Sequence, residues 1–332
     1  MRVIITGASG FVGNGLARHL CANPEALGRP VTELVLADLA DGPKDPGCEK
    51  MVEWRCGDLT DPGYLDRLLC LPVDCFFHLA SVPGSLAERQ PELGRAVNLD
   101  APFALAHRLA RQGRETSIVP RIVFASTIAV YGPLGRDTVT EDQWAQPAIS
   151  YGAHKLMTEI LLADLSRRGE IDARSIRLPG IVARPVSESG HGSAFMSLLF
   201  HKARAGEPYF CPVSRDATAW WMSLDTCVEN LVRAARLDMD ALPASRTWQL
   251  PALHACVDDI VAALSEWLGR ENTARVDFRP DDITERLFGR FPSLETPIAS
   301  KAGFVRDRDA SSLVKSVLAD TKRHLPSVQD SP

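Results

Sequence analysis

The sequence predicts an α/β fold: a doubly wound parallel sheet with a smaller, interleaved C-terminal domain. Three observations predict it. Short apolar runs alternate with helical stretches through the first half of the chain. A glycine cluster stands at the first strand-to-helix turn. Composition then shifts after Leu178 toward proline-broken loops.

The elements follow in order. Candidate strands are Arg2 to Thr6, Glu33 to Ala37, Glu53 to Cys56, Cys75 to Leu79, Arg121 to Ala125 and Ala173 to Leu178. Candidate helices lie between them at Val12 to Ala22, Pro62 to Leu69, Leu93 to Gln112 and Tyr151 to Arg168. Strand, helix, strand at this spacing implies parallel pairing with both sheet faces covered and right-handed crossovers. Beyond Leu178, Pro179, Pro185, Pro208 and Pro212 interrupt the chain around a helix near Ala194 to Ala205. Further helices are expected over Thr226 to Arg236 and, in a charged tail, Ser311 to Lys322.

Bulk numbers exclude more than they name. At about 150 residues per domain, 332 residues make roughly two domains. With 45% hydrophobic and 24% charged residues, the chain is neither disordered, collagen-like nor a disulfide-scaffolded miniprotein. The 37 basic and 42 acidic residues leave a net charge of -5, with no basic excess to attract nucleic acid. No run reaches the roughly 18 apolar residues of a membrane span, and the start runs into a strand with no signal-peptide pattern. The eight cysteines form no CxxC pair and no zinc-finger spacing. A reduced, cytoplasmic protein with free thiols is expected. His191 and His201 stand ten apart without a nearby acidic pair, so no metal is expected.

Thr6-Gly7-Ala8-Ser9-Gly10-Phe11-Val12-Gly13 follows the first strand and opens the first helix. Gly7 permits a tight turn, Gly10 lets backbone approach a pyrophosphate, and Gly13 lets the helix pack on the strand. Residues Gly7, Ser9, Gly10, Phe11, Val12 and Gly13 thus form a candidate phosphate site, with the helix N-terminus supplying amide donors. Asp38 ends the second strand, where a carboxylate can accept both ribose hydroxyls of an adenosine and repel a 2'-phosphate. NAD is therefore expected over NADP, on a Rossmann-type sheet. Asp58, in Cys56-Gly57-Asp58-Leu59-Thr60, is either an adenine acceptor, with Leu59 beside the ring, or a helix N-cap. The division expected is an NAD-binding domain over 1–178, to which a later strand returns near 220–248, and a mainly substrate-binding lobe over 179–332.

Tyr151-Gly152-Ala153-His154-Lys155 places Tyr and Lys four apart on one helix face. A phenol ionises near pH ~10 in water, and a close ammonium stabilises the phenolate and lowers that value. Lys155 can also bond the nicotinamide ribose. Upstream, Ile122 to Thr127 reads as a buried strand tipped by two hydroxyls, Ser126 and Thr127, one of which can hold a substrate oxygen by the phenol.

With these motifs the chain resembles the extended short-chain dehydrogenases/reductases, the superfamily of NAD-dependent epimerases and dehydratases. The resemblance covers residues 1 to about 185. It is carried by Thr6 to Gly13, Asp58, His78-Leu79-Ala80-Ser81, Asn98, Ser126 to Gly132, and the Tyr151/Lys155 pair. It implies that Thr127, four before Tyr131, is the catalytic hydroxyl and Ser126 lies by the cofactor, or the reverse. It also implies that Leu79, Ala80 and Ser81 line the cofactor, with Asn98 beneath it and Pro179 and Ile181 near the nicotinamide. For Asn98 the alternative is a helix-packing hydrogen bond. The helices at 93–112 and 151–168 commonly build a homodimer interface in such proteins, so Leu105, Leu109, Leu161 and Leu162 belong to that patch or to the core.

Departures from the pattern concern the substrate. Nucleotide-sugar members carry an Asn where this chain has Gly180, and a pyrophosphate-gripping Arg where it has Ala219. Arg215, four residues earlier, is a possible substitute. What remains resembles a narrower group, the D-erythronate dehydrogenases. The stretches are Arg177 to Pro185, Ser193 to Ser197, Cys211-Pro212-Val213 and Lys301 to Val305. The implied reaction is NAD-dependent oxidation of a small sugar acid at C2, D-erythronate to 2-dehydro-D-erythronate, with Tyr151 as base. Arg184, Ser189, His191 and Ser193 lie in a loop suited to the acid, so the substrate set is Ser81, Thr127, Tyr151, Arg184, Ser193 and Arg215. Alternatives are a nucleotide-sugar 4-epimerase or dehydratase and a non-catalytic NAD-sensing regulator. Trp220 and Trp221, adjacent on a strand, are expected to face opposite sides, in the core by default.

Overall fold

The computed structural model describes residues 1–40, 48, 51–135, 137–185, 193–238, 243–273 and 275–324. Arg2–Thr6 is apolar enough to be buried along its whole length, as a central parallel strand must be. It pairs in parallel with Glu33–Asp38 on one side and Cys75–His78 on the other. The full sheet has seven strands, ordered 247–249, 172–178, 121–127, 75–78, 2–6, 33–38, 52–56, and its pairings are parallel. The direction of winding reverses between 2–6 and 75–78. That switch point opens a crevice at the strands' carboxyl ends, where Thr6, His78 and Thr127 stand.

Alternation along the strands sorts side chains between two layers. Val3 and Ile5 pack with Leu16, Leu20, Leu224 and Leu231, under helices Phe11–Ala22 and Leu224–Arg236. Ile4 and Phe76 face the other way, onto Leu65, Leu105, Leu109 and Leu162 of helices Pro62–Leu68, Ala101–Thr116 and Ser150–Arg167. Leu105, Leu109 and Leu162 thus belong to the core of this chain.

The strands of the first half fall within one or two residues of the expected ones. The helix expected over 93–112 differs. It is three pieces, Pro91–Arg95, a π-helical turn Ala96–Asp100, and Ala101–Thr116. Pro102 has no N–H for an α-helical bond back to Asn98, and the wider turn accommodates this.

A second sheet, ordered 253–256, 218–223, 180–182, lies beside the platform. It is covered by helices Ala194–Ala205, Val257–Leu268 and Ala310–His324 around a core of Trp221, Phe195, Leu199, Ile260 and Leu313. The strand that rejoins the main sheet is Thr247–Gln249, beside 172–178. Thr218–Ser223 instead crosses the second sheet, pairing with 180–182 and 253–256. Trp220 and Trp221 face opposite sides and both are buried. Each indole N–H is satisfied by a carbonyl, of Pro292 and Ala255 respectively.

The expectation of free thiols fails at two positions. Cys21, at the end of the first helix, and Cys48 form a disulfide with Cα atoms 5.5 Å apart. They stand 27 residues apart in a chain without regular cysteine spacing, so nothing local marks the pair. Cys75, Cys211 and Cys227 are buried thiols. Among the described residues no helix is long and apolar enough to cross a membrane.

Candidate active site

The glycine loop is dictated by contact. Gly7 has φ +70°, and a Cβ there would lie 2.7 Å from the Ala80 amide nitrogen. A Cβ on Gly13 would lie 2.0 Å from the Gly7 carbonyl oxygen. The first-helix N-terminus, at Gly10, carries no side-chain cap, leaving its amides for an anion. Across the crevice, Asp38 accepts the Ser9 N–H at 2.9 Å and the Leu39 N–H at 2.8 Å. Phe11 and Val12 turn into the core.

Asp58 accepts the Thr60 N–H at 2.8 Å in a tight turn. The cap of helix 62–68 is Asp61, which accepts from Gly63 and Tyr64. The capping role offered for Asp58 is therefore taken by its neighbour three residues on, and Leu59 packs under the sheet. Asn98 is 1% exposed and spends its amide on Val82, accepting from its N–H at 2.9 Å and donating to its carbonyl at 3.0 Å. It clips the segment that carries Leu79, Ala80 and Ser81. This is the packing role, and it fixes the floor of the crevice.

The reacting end assembles at the first turn of helix 150–167. The Tyr151 side chain hydrogen-bonds Ser81 and Thr127, and Arg184 is near enough for its charge to act on the phenol. Burial raises the Tyr151 pKa, while the Ser81 bond, the Arg184 cation and the Thr127 bond pull it down. Lys155 has a different position from the one spacing suggests. Its Nζ donates to the Ala125 carbonyl at 2.8 Å and lies 4.6 Å from the Phe124 ring centre and 5.7 Å from that of Tyr151. Burial, opposed by the charge of Glu159, pushes the ammonium down to about 7. The cation acting on the phenol in this arrangement is Arg184.

Ser126 and Thr127 part company because neighbours on a strand point to opposite faces. Thr127 turns to the phenol and also accepts the Ala129 N–H at 3.1 Å. Ser126, 2% exposed, donates to the Glu159 carboxylate. Of the two hydroxyls, Thr127 is the one that bonds Tyr151, while Ser126 is engaged by Glu159. Glu159 also takes a two-pronged ion pair from Arg177, at 3.1 and 2.7 Å, and Arg177 donates on to the Tyr131 hydroxyl at 3.1 Å. Sequence reading missed this network. Its one signal was Glu159 four residues after Lys155 on the helix face already singled out.

Arg184 stands half-buried at the end of strand Gly180–Val182. Its guanidinium donates to Ser193 at 3.1 Å and, among the described residues, pairs with no carboxylate. A cation so placed favours negative charge near the phenol. Arg215 is elsewhere: it pairs with Asp258 at 2.7 Å, lies 4.4 Å from the Phe278 ring centre, and its side chain is 61% exposed. It is not among the groups whose charge acts on the phenol. Ile181 is buried in the platform core, and Pro179 links the two strands that flank it. Ser189 and His191 lie outside the described residues.

Comparison with known proteins agrees with this geometry. The family model for the NAD-dependent epimerase/dehydratase family matches residues 3–242. A D-erythronate dehydrogenase of Cupriavidus necator is 32% identical, over 96% of this chain and 98% of the relative. One of Haemophilus influenzae is 29% identical, over 96% and 99%. A crystal structure of a nucleoside-diphosphate-sugar epimerase from Agrobacterium tumefaciens superposes with a TM-score of 0.91 at 28% identity, covering 97% of this chain and 95% of that one. The uncapped helix end, the close-packed glycines and the carboxylate of Asp38 fit the dinucleotide that this family uses. The chain belongs to the NAD-dependent epimerase/dehydratase family, with NAD as its cofactor.

Proposed function

We propose that the protein is an NAD-dependent dehydrogenase of small sugar acids and that it oxidises D-erythronate at C2 to 2-dehydro-D-erythronate. One observation carries the reading: the Arg184 guanidinium, which pairs with no carboxylate among the described residues, is near enough for its charge to act on the Tyr151 phenol. In a 2-hydroxy acid the carboxylate is on the carbon next to the reacting hydroxyl. A base with a cation within reach of its charge suits such a substrate.

The residues divide the work as follows. NAD, when bound, accepts the hydride from C2. Gly7, Gly10 and Gly13 would admit its phosphates, Asp38 would take its ribose hydroxyls, and Asp58, Leu79, Ala80, Pro179 and Ile181 would border it. Tyr151, as phenolate, takes the proton of the C2 hydroxyl. Ser81 and Thr127 hold the reacting oxygen against it. Arg184 holds the carboxylate, with Ser193 at its side, and its charge favours the phenolate. Lys155, with its depressed pKa, is a proton acceptor and donor behind the phenol. The Glu159–Arg177 pair keeps Ser126 and the helix fixed.

A second reading, nucleotide-sugar epimerase or dehydratase, is favoured by the name of the Agrobacterium structure. The residues here weigh against it. A side chain at Gly180 would come within 2.5 Å of Met196 and 3.0 Å of the Trp220 carbonyl. Ala219 is packed into the lobe core, and Arg215 is bound on the surface to Asp258. The intact Tyr151/Lys155 pair argues against a pure NAD sensor. Incubation with NAD and a panel of C4 to C6 sugar acids should release NADH, read by its near-ultraviolet absorbance, and be fastest with D-erythronate. Turnover of UDP- or dTDP-sugars without net NADH would replace this reading with the second.

The same reading takes the protein as cytoplasmic and homodimeric. Met157 and Ile160 stand 40% and 62% exposed on helix 150–167, an apolar face for a second copy. Light scattering at working concentration measures the mass directly.

A further inference from the structure

Arg184 is gripped from three sides by one helix. Ser193, Ser197 and His201 recur every four residues, hence along one face of the segment that begins with Ser193 and continues as helix Ala194–Ala205. Ser193 takes the guanidinium at 3.1 Å. Ser197 accepts the Arg184 backbone N–H at 3.0 Å. The His201 Nε2 meets the Arg184 carbonyl at 2.7 Å. A carbonyl can only accept, so His201 donates from Nε2. Ser193 occupies the N-cap position yet makes no side-chain cap bond. A serine there ordinarily accepts an amide of the first turn; this one takes Arg184 instead. Ser197 is 6% exposed, so its hydroxyl is in the fold's interior.

An arginine side chain has several rotatable bonds, and fixing it costs entropy that a loose anchor would lose at every binding event. Here both backbone groups and the head are held before any ligand arrives. We infer that Ser197 and His201 are positioning residues that make this site selective for carboxylate-bearing substrates, by locking Arg184 in place beside Tyr151. The inference rests on the reading of Arg184 as the carboxylate anchor. Neither residue touches substrate or cofactor in this scheme; both act through Arg184.

The test compares His201→Ala, His201→Gln, Ser197→Ala and Arg184→Ala in steady-state oxidation of D-erythronate. The uncharged D-erythronamide serves as a competing ligand. His201→Ala and Ser197→Ala should raise KM for the acid by about three- to tenfold, the loss of one hydrogen bond's ordering. Their kcat should stay within about twofold, and NAD affinity and the amide's inhibition constant should not move. His201→Gln, which keeps an N–H donor, should return KM toward wild type. Arg184→Ala should raise KM at least about tenfold. If His201→Ala and Ser197→Ala weaken acid and amide alike, or leave both unchanged while Arg184→Ala still raises KM, the clamp is refuted and the anchor stands. If Arg184→Ala leaves the acid's KM unchanged, the anchor reading itself falls, and the clamp with it.

Discussion

The two halves of the crevice are built on different principles. On the cofactor side, backbone does the work: Gly7 and Gly13 leave no room for a Cβ, the first helix offers unpaired amides, and Asp38 follows at the next strand tip. On the side we assign to the substrate, side chains do it: Ser193, Ser197 and His201 each hold Arg184 by a hydrogen bond. A backbone site is specified by short-range spacing and suits a ligand shared by a whole family. A side-chain site is assembled from residues whose proximity no spacing announces, and it is where one substrate is told from another.

Substitutions can break this contrast at chosen points. The largest effect belongs where the halves meet. Tyr151→Phe should lower kcat by about 10²- to 10⁴-fold, the usual worth of a general base, while NAD titration gives an unchanged affinity. Near-normal turnover would remove Tyr151 from the chemistry.

Next comes the backbone side. Gly13→Ala sets a methyl 2.0 Å from the Gly7 carbonyl oxygen, so helix and loop must move apart. NAD affinity should fall at least about tenfold, a little over ~1.4 kcal/mol, with KM for the sugar acid at saturating NAD little changed. Loss of acid binding instead would show that the two halves are not separable.

A third prediction concerns the crevice floor and stability. His78 is 2% exposed and hydrogen-bonded to Thr6 at 2.8 Å; burial, then the nearby Lys155 charge, pushes its pKa from 6.5 to about 3. Between those values the unfolded chain takes up a proton that the folded one refuses. Stability therefore falls as pH drops from 6.5 toward about 3, by about 2 kcal/mol on reaching pH ~5. Denaturant unfolding at several pH values measures it, and His78→Asn should flatten the slope; an unchanged slope in the variant would assign it to other groups.

The smallest effect tests the cross-talk. The Arg184 cation lowers the Tyr151 pKa. Without it the phenol ionises later, so Arg184→Gln should move the rising limb of the kcat–pH profile to higher pH. A limb that stays in place would mean the phenol does not feel the guanidinium.

The sequence on its own determined the platform. Alternating apolar runs required a parallel sheet buried on both faces, and the glycines between Gly7 and Gly13 required a close turn at its first strand. Asp38, Thr127 and the Tyr151/Lys155 spacing then marked one crevice. These are local features, within a turn or an element, and local sterics enforce them. Only the tertiary structure decided the rest. It turned Ser126 to Glu159 and Thr127 to Tyr151, gave Asn98 to Val82, and joined Cys21 to Cys48. It also bound Arg215 to Asp258, and brought Arg184, with no carboxylate partner among the described residues, near enough for its charge to act on the phenol. An arginine looks the same in a sequence whether or not an acid stands opposite it. That acid comes from 43 residues away for Arg215, so the pairing is a property of how distant segments pack.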